Sequence, residues 1–255
     1  MRTRLGWGEA STLVIHKDHL ILPWDQEDQS YLYSLNPKTG DIQWKVERDE
    51  PSNWSTPLIT THADRTQLIV NGTHRARSYF LNSGEVVWEC GELSVNAIPS
   101  PLRYKDTILC ISGYRKSIVY AIPVDARGDI SGTDRIRWIY NQNTPYVASP
   151  VIVGNKIFLT KQRTALVTVL DLDTGKPLIE AERLHGLREV YASPIVANDK
   201  VYLVDRQGTT AVLKYDGELK ILAVNKLGVQ IDASPAVVGN QLFLRSWSAL
   251  YCIEE

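Results

Sequence analysis

The sequence predicts an all-β fold built from a repeated four-stranded antiparallel unit. Short apolar runs that suit β-strands alternate with tight turns, and no stretch shows helical periodicity. A Ser/Thr-Pro step recurs about every 40–50 residues, which indicates an internal structural repeat. The aromatic composition, with 12 Tyr and 7 Trp against 3 Phe, also favours strands.

Each unit is predicted to contain four strands in a fixed order. In one unit, the step at Ser149-Pro150 precedes a first strand at 151–153, a Gly-Asn turn and a second strand at 156–159. A polar turn leads to a third strand at 165–169, and a Gly-containing turn leads to the fourth. The other steps are Thr56-Pro57, Ser100-Pro101, Ser193-Pro194 and Ser234-Pro235.

Units of this length are typical of β-propeller blades, whose small twisted sheets bury their faces by packing radially. The predicted blades span residues 10–48, 54–91, 98–141, 147–184, 191–226 and 232–255. The last has three strands, and residues 1–6 are predicted to add its fourth, which would close a six-bladed ring in one domain, 1–255. The alternative is that the chain is the C-terminal part of a larger, for example eight-bladed, propeller.

The composition argues against several classes of protein. The net charge of −1 does not favour a surface devoted to nucleic acid or anionic membrane. No apolar run approaches the roughly 20 residues of a membrane-spanning helix, and the first residues show no secretion signal. The three cysteines, Cys90, Cys110 and Cys252, do not form a disulfide framework and are expected to be buried free thiols.

Two predicted fourth strands share a motif that points to a family. Residues 38–44 and 82–88 both place a tryptophan, Trp44 or Trp88, four residues after a glycine. With the Ala-Ser-Pro steps, this pattern resembles the pyrroloquinoline-quinone-like (PQQ-like) β-propeller repeat family over essentially the whole chain. That family includes quinoprotein alcohol dehydrogenases, the propeller lipoprotein of outer-membrane assembly, and many bacterial members without an assigned activity, which this chain resembles most. The resemblance implies a location in the periplasm or cell envelope.

For a quinoprotein enzyme, the same resemblance would imply an adjacent Cys-Cys disulfide, a Glu/Asn pair that holds calcium, an Asp base and a Trp under the quinone. The cysteines of this chain are not adjacent. The five histidines lack metal-binding spacing, and neither a Gly-x-Ser-x-Gly elbow nor a Walker loop is present. We therefore expect no catalytic residue, no metal and no cofactor, with PQQ and calcium the less favoured alternative.

One set of predicted turns is rich in basic residues. In a propeller, the turn between the second and third strands lies on the same face as the link from each blade to the next. Basic residues in those turns include Arg75, Arg115, Arg163, Arg206 and Arg245. Residues predicted to line the central opening are Glu9, Trp54, Tyr191 and Asp232, with Trp7 and Tyr146 beside them. The hypothesis is an aromatic mouth inside a broken cationic rim, although exposed turns are commonly charged without a function.

These features favour a non-catalytic, monomeric propeller that binds a protein or peptide, without nucleic acid and without a membrane span. The alternative is a degenerate quinoprotein that binds a small anionic ligand or a quinone over the central channel. A third possibility is an enzyme such as a lyase or glycosidase, for which only Glu9 and Asp232 offer a carboxylate pair near the axis.

Overall fold

The computed structural model describes residues 2–254, and over this range the chain forms β-sheets, antiparallel except for one short parallel pair, and one three-residue 3-10 helix. No helix in that range is long and apolar enough to cross a bilayer. The chain divides into two compact units, residues 1–142 and 143–255. Each unit is described separately.

The first unit contains three sheets, each built on four antiparallel strands. The strands of the first sheet are β1 (Val14–His16), β2 (His19–Trp24), β3 (Ser30–Leu35) and β4 (Ile42–Arg48). Those of the second are β5 (Leu58–His62), β6 (Arg65–Asn71), β7 (Arg75–Phe80) and β8 (Val86–Gly91). The third sheet contains β9 (Leu102–Tyr104), β10 (Thr107–Ser112), β11 (Ile118–Pro123) and β13 (Trp138–Tyr140). The short strand β12 (Gly128–Asp129) pairs in parallel with β8 and covers its edge.

The second unit also contains three sheets. The first two have four strands each: β14 (Val151–Val153), β15 (Lys156–Lys161), β16 (Leu166–Asp171) and β17 (Pro177–Arg183), then β18 (Ile195–Ala197), β19 (Lys200–Val204), β20 (Thr209–Tyr215) and β21 (Leu219–Lys226). The last sheet has β22 (Ala236–Val238), β23 (Gln241–Arg245) and β24 (Leu250–Ile253). The predicted four-stranded antiparallel units are thus confirmed for five of the six repeats.

The prediction of an N-terminal strand is wrong. Arg4–Gly6 forms a 3-10 helix with Leu5 in the left-handed region, at a φ of 53°. The backbone N–H of Arg4 donates to the Ser52 hydroxyl (3.0 Å), and that of Glu27 donates to the Arg2 carbonyl (2.8 Å). These bonds tie the segment to the loops of the first sheet, so it does not pair as a strand. Within residues 2–254 the last sheet has three strands, and the number of blades stays a prediction.

The inner strands of each sheet carry the core. All six residues of β10 are buried, because packed layers cover both faces of that sheet. Trp88, the tryptophan of the repeat motif, is fully buried in the apolar cluster that includes Ile108 and Cys110 of β10. Trp44 is partly buried, and its indole Nε1 donates to the Leu81 carbonyl at 2.9 Å. Cys90 and Cys110 are buried free thiols as expected, but Cys252 is exposed because it lies on β24, the last strand of the three-stranded sheet.

Candidate functional site

In the second unit, residues from two neighbouring sheets meet at the end where the turn between the second and third strands lies. Arg206 lies in the β19–β20 turn and Asp232 in the segment between β21 and β22. The Arg206 Nε donates to Asp232 Oδ1 at 2.5 Å, and Nη2 donates to Oδ2 at 3.3 Å. The guanidinium lies 4.6 Å from the centre of the Tyr191 ring, a cation–π distance.

Trp247 completes this arrangement. Its indole Nε1 donates to Asp232 Oδ2 at 2.9 Å, and its backbone N–H donates to the Gln230 carbonyl at 3.3 Å. The side chain is nevertheless 74% exposed, so its aromatic face is open to solvent. We refer to Tyr191, Arg206, Asp232 and Trp247 as the Tyr191 cluster. The sequence analysis missed Trp247, although an apolar aromatic in a predicted second-to-third turn was a usable signal.

The two charged groups of the cluster stabilise each other. The hydrogen bond to Asp232 raises the pKa of Arg206 above its ordinary value. Burial alone would raise the pKa of Asp232, but hydrogen bonds from Arg206 and Trp247 outweigh it and lower that pKa. Asp232 is therefore ionised at neutral pH and is a poor general acid. An ionised Asp232 could serve only as the second carboxylate of the glycosidase alternative, in which the other carboxyl group carries the proton.

In the first unit, the predicted mouth residue Trp54 forms an aromatic pair with Trp7. Trp54 is only 8% exposed, and its indole Nε1 donates to the Gly8 carbonyl at 2.6 Å. The ring of Trp7 lies 5.9 Å from that of Trp54 and is 53% exposed. Glu9, two residues after Trp7, is exposed. Trp7, which the sequence analysis placed only beside the mouth, is thus the accessible member of the pair.

The predicted cationic residues differ in how far their charge is offset. In the first unit, Arg75 lies 3.3 Å from Glu89 and 3.1 Å from Asp129. Arg115 is exposed and lies 5.8 Å from the ring of Tyr114. The ion pairs of Arg75 and Arg206 offset part of the positive charge that the sequence suggested. The sequence did not reveal these pairs, because their carboxylates, Asp129 and Asp232, come from other segments of the chain.

Two further predicted cations belong to the second unit and are exposed. Arg163 lies in the β15–β16 turn, and Arg245 is the last residue of β23. Neither forms an ion pair with any residue in the described range. Tyr146 is half-buried in the segment that precedes β14. The structure therefore brings Tyr191, Arg206 and Asp232 into contact, and a binding role of all the predicted residues stays a prediction.

The adjacent Cys-Cys disulfide that a quinoprotein enzyme would imply is not formed, and binding of a quinone with calcium stays an untested alternative. The three cysteines are free, and burial raises the pKa of the Cys90 thiol to about 12. Within residues 2–254, no group of three His, Cys, Asp or Glu side chains is placed to hold a metal ion. We therefore assign no redox step to these side chains.

Comparisons with known proteins agree with this architecture. The sequence profile described as outer membrane protein assembly factor BamB matches residues 10–178, about two thirds of the chain. A search of curated protein sequences finds no match. BamB from Moraxella catarrhalis has a similar structure, with a TM-score of 0.52 and 14% identity over 96% of this chain and 82% of that one.

Two other solved structures are similar. The C-terminal WD40 domain of Sif2 has a TM-score of 0.66 and 13% identity, over 93% of this chain and 67% of that one. Quinohemoprotein alcohol dehydrogenase from Comamonas testosteroni has a TM-score of 0.61 and 11% identity, over 93% of this chain and 51% of that one. At these identities the likeness concerns the fold alone, and the fold is a β-propeller of four-stranded antiparallel blades.

Proposed function

Because this chain belongs to the PQQ-like β-propeller repeat family of the assembly factor BamB, we propose that it is a non-catalytic scaffold of the bacterial cell envelope. It binds an extended segment of a partner protein at the Tyr191 cluster. BamB itself is described as a factor in outer membrane protein assembly, and a protein-binding role in the same compartment is consistent with that description.

The exposed face of Trp247 is the observation that carries this proposal. A tryptophan that is 74% exposed offers a large apolar surface to a partner. Its polar edge is already bonded to Asp232, so little side-chain freedom is lost on binding. Tyr, Trp and Arg are also the residue types that contribute most binding energy at protein interfaces.

The charges of the cluster are consistent with binding. Asp232 is held ionised by Arg206 and Trp247, so it positions the aromatic groups and does not supply a proton. The cluster also borders a cleft of about 400 Å³ lined by Glu189, Arg206, Gln207, Gly228, Val229 and Gln230. Such a cleft gives a peptide backbone or side chain room to lie beside the aromatic residues.

Selection of random linear peptides by phage display on the full chain tests the proposal. Selected peptides should bind Trp247→Ala and Tyr191→Ala at least about 30-fold more weakly, as expected for central aromatic residues of an interface. Trp7→Ala, which removes an exposed tryptophan of the first unit, is the matched control and should bind normally. Near-ultraviolet circular dichroism establishes that each variant is folded. Selection of no peptide, or of peptides that depend on Trp7 instead, would contradict the proposal.

A further inference from the structure

A second cleft, rich in basic residues, adjoins the Tyr191 cluster within the second unit. It has a volume of about 630 Å³, and its lining includes Arg183, His185, Arg188, Asp205 and Lys226. Arg183 is the last residue of β17 and Lys226 the last residue of β21, so neighbouring sheets each contribute a cation. His185 and Arg188 belong to the loop that connects β17 to β18.

The three permanent cations of this cleft are not neutralised. Arg183, Arg188 and Lys226 are exposed, and none of them forms an ion pair with a residue in the range 2–254. The neighbouring Glu182 points to the opposite face of β17, because successive side chains of a strand alternate. The cleft therefore differs from the surroundings of Arg206 and Arg75, whose charges are offset by carboxylates.

The one carboxylate in the lining has a structural role. Asp205 is only 1% exposed. Its Oδ1 accepts the backbone N–H groups of Gln207 (3.0 Å) and Thr209 (2.8 Å), and its Oδ2 accepts that of Arg188 (3.1 Å). These bonds shape the β19–β20 turn and fix the backbone of Arg188 against it. Asp205 thus holds the loop that carries Arg188, while the cationic side chains stay open to solvent.

The basic cleft continues into the cleft beside Arg206. Gln207 and Gly228 line both clefts, which therefore adjoin, and we call the two together the groove. Glu189, the carboxylate of the cleft beside Arg206, pairs with Arg206 at 3.4 Å. Such a groove suits an extended peptide, which advances about 3.3 Å per residue, better than a compact anion.

We propose that this groove makes the chain selective for acidic partner segments. Aspartate or glutamate side chains of the segment lie against Arg183, Arg188 and Lys226, while its apolar residues contact the Tyr191 cluster. This inference rests on the proposed function and adds the chemistry of the partner. Free cations at the rim of an interface select partners and speed their association.

The test uses a synthetic array of linear peptides that keep one Trp and one Leu fixed, and in which Glu replaces Ser at one position after another. Binding to the wild-type chain should strengthen with each added Glu and weaken with added salt. The variant Arg183→Gln/Arg188→Gln/Lys226→Gln should lose this dependence and bind the most acidic peptides about tenfold more weakly. The matched control, Lys38→Gln/Lys176→Gln/Lys214→Gln, removes the same charge from exposed lysines outside the groove and should retain the wild-type pattern.

A second array, with Gln in place of Glu, and competition with inorganic phosphate complete the design. Equal binding of the Gln and Glu arrays would overturn the inference, as would displacement of both arrays alike by phosphate, which would indicate a small-anion site. If Trp247→Ala abolishes binding of every peptide but Glu has no effect, the proposed function stands and this inference fails. If Glu dependence requires the three cations but not Trp247 or Tyr191, the proposed function fails and the basic groove remains. The salt dependence of the wild-type chain keeps the test valid even if a variant misfolds.

Discussion

Replacement of Arg48 by methionine is expected to destabilise the first unit strongly. The side chains of Arg48 and Asp25 are 0% and 1% exposed. They form two hydrogen bonds, Nε to Oδ1 at 2.7 Å and Nη2 to Oδ2 at 2.9 Å. Arg48 also bonds the Tyr79 hydroxyl, and Asn53 donates to Asp25. Burial opposes the charge of Arg48, but the nearby Asp25 carboxylate raises its pKa, so it stays charged across the usable pH range.

The magnitude follows from what Arg48→Met leaves behind. Methionine fills much of the space, but it leaves the Asp25 carboxylate buried with the Asn53 amide as its remaining partner. Breaking a buried ion pair in this way costs about 3–5 kcal/mol. For an m-value of about 2 kcal/mol per M, the urea midpoint should fall by about 2 M. The measurement is urea unfolding followed by far-ultraviolet circular dichroism. Arg48→Lys keeps the charge but not the two-pronged geometry, and it should fall between wild type and Arg48→Met.

Arg137→Met is the matched control for this prediction. Arg137 also binds a carboxylate through two nitrogens, with Nη1 and Nη2 at 2.8 and 2.6 Å from the two oxygens of Asp106. Its side chain is 39% exposed and that of Asp106 is 55% exposed, so the loss should stay below about 1 kcal/mol. Similar losses in Arg48→Met and Arg137→Met would show that burial does not set the cost and would refute the argument.

Three further predictions concern a thiol, a turn and a titration. Native chain should react rapidly with Ellman's reagent at one thiol, Cys252, because the other two are buried; a fast reaction that survives Cys252→Ser would contradict this. Gly208→Ala, at a φ of 76° and with a backbone oxygen in the way, should lower thermal stability more than Gly154→Ala, which has a φ of 59° and open space; equal melting temperatures would exclude the steric argument. The hydrogen bond from Arg137 lowers the pKa of Asp106 to about 2, so its stabilising effect is complete above its ordinary value of 3.8 and is lost as the pH falls through about 2. The stability difference between wild type and Asp106→Asn should therefore shrink as the pH falls from 4 towards 2, and a difference independent of pH would count against the pairing.

The repeat architecture could be predicted because its signals are local in sequence. The Gly-Asn turn after residue 153 ends one strand and starts the next, and the structure places β14 and β15 on either side of it. Trp88 lies in the fourth strand of its sheet, as the motif spacing predicted, and it is fully buried. Turn chemistry and alternation act over a few residues, so a single sequence suffices to locate most strands.

The site was only partly predictable. Tyr191, Arg206 and Asp232 were chosen for their positions in the repeat, and the structure brings them into contact. Trp247 was missed because its place in a predicted second-to-third turn marks it as a candidate but does not reveal that its indole bonds Asp232. The N-terminal residues were predicted to pair as a strand, but their backbone groups bond to loops of the first sheet around Glu27 and Ser52.

The sequence by itself determined the repeat, the antiparallel four-stranded units and the family, since hydrogen bonding between consecutive strands depends on residues close in the chain. Only the tertiary structure decided which cations stay free. Arg75 meets Asp129 and Arg206 meets Asp232 across segments distant in sequence, whereas Arg183 and Lys226 meet no carboxylate in the described range. The physical reason is that charge pairing depends on side-chain distances of a few ångströms, which the packing of different strands and loops sets.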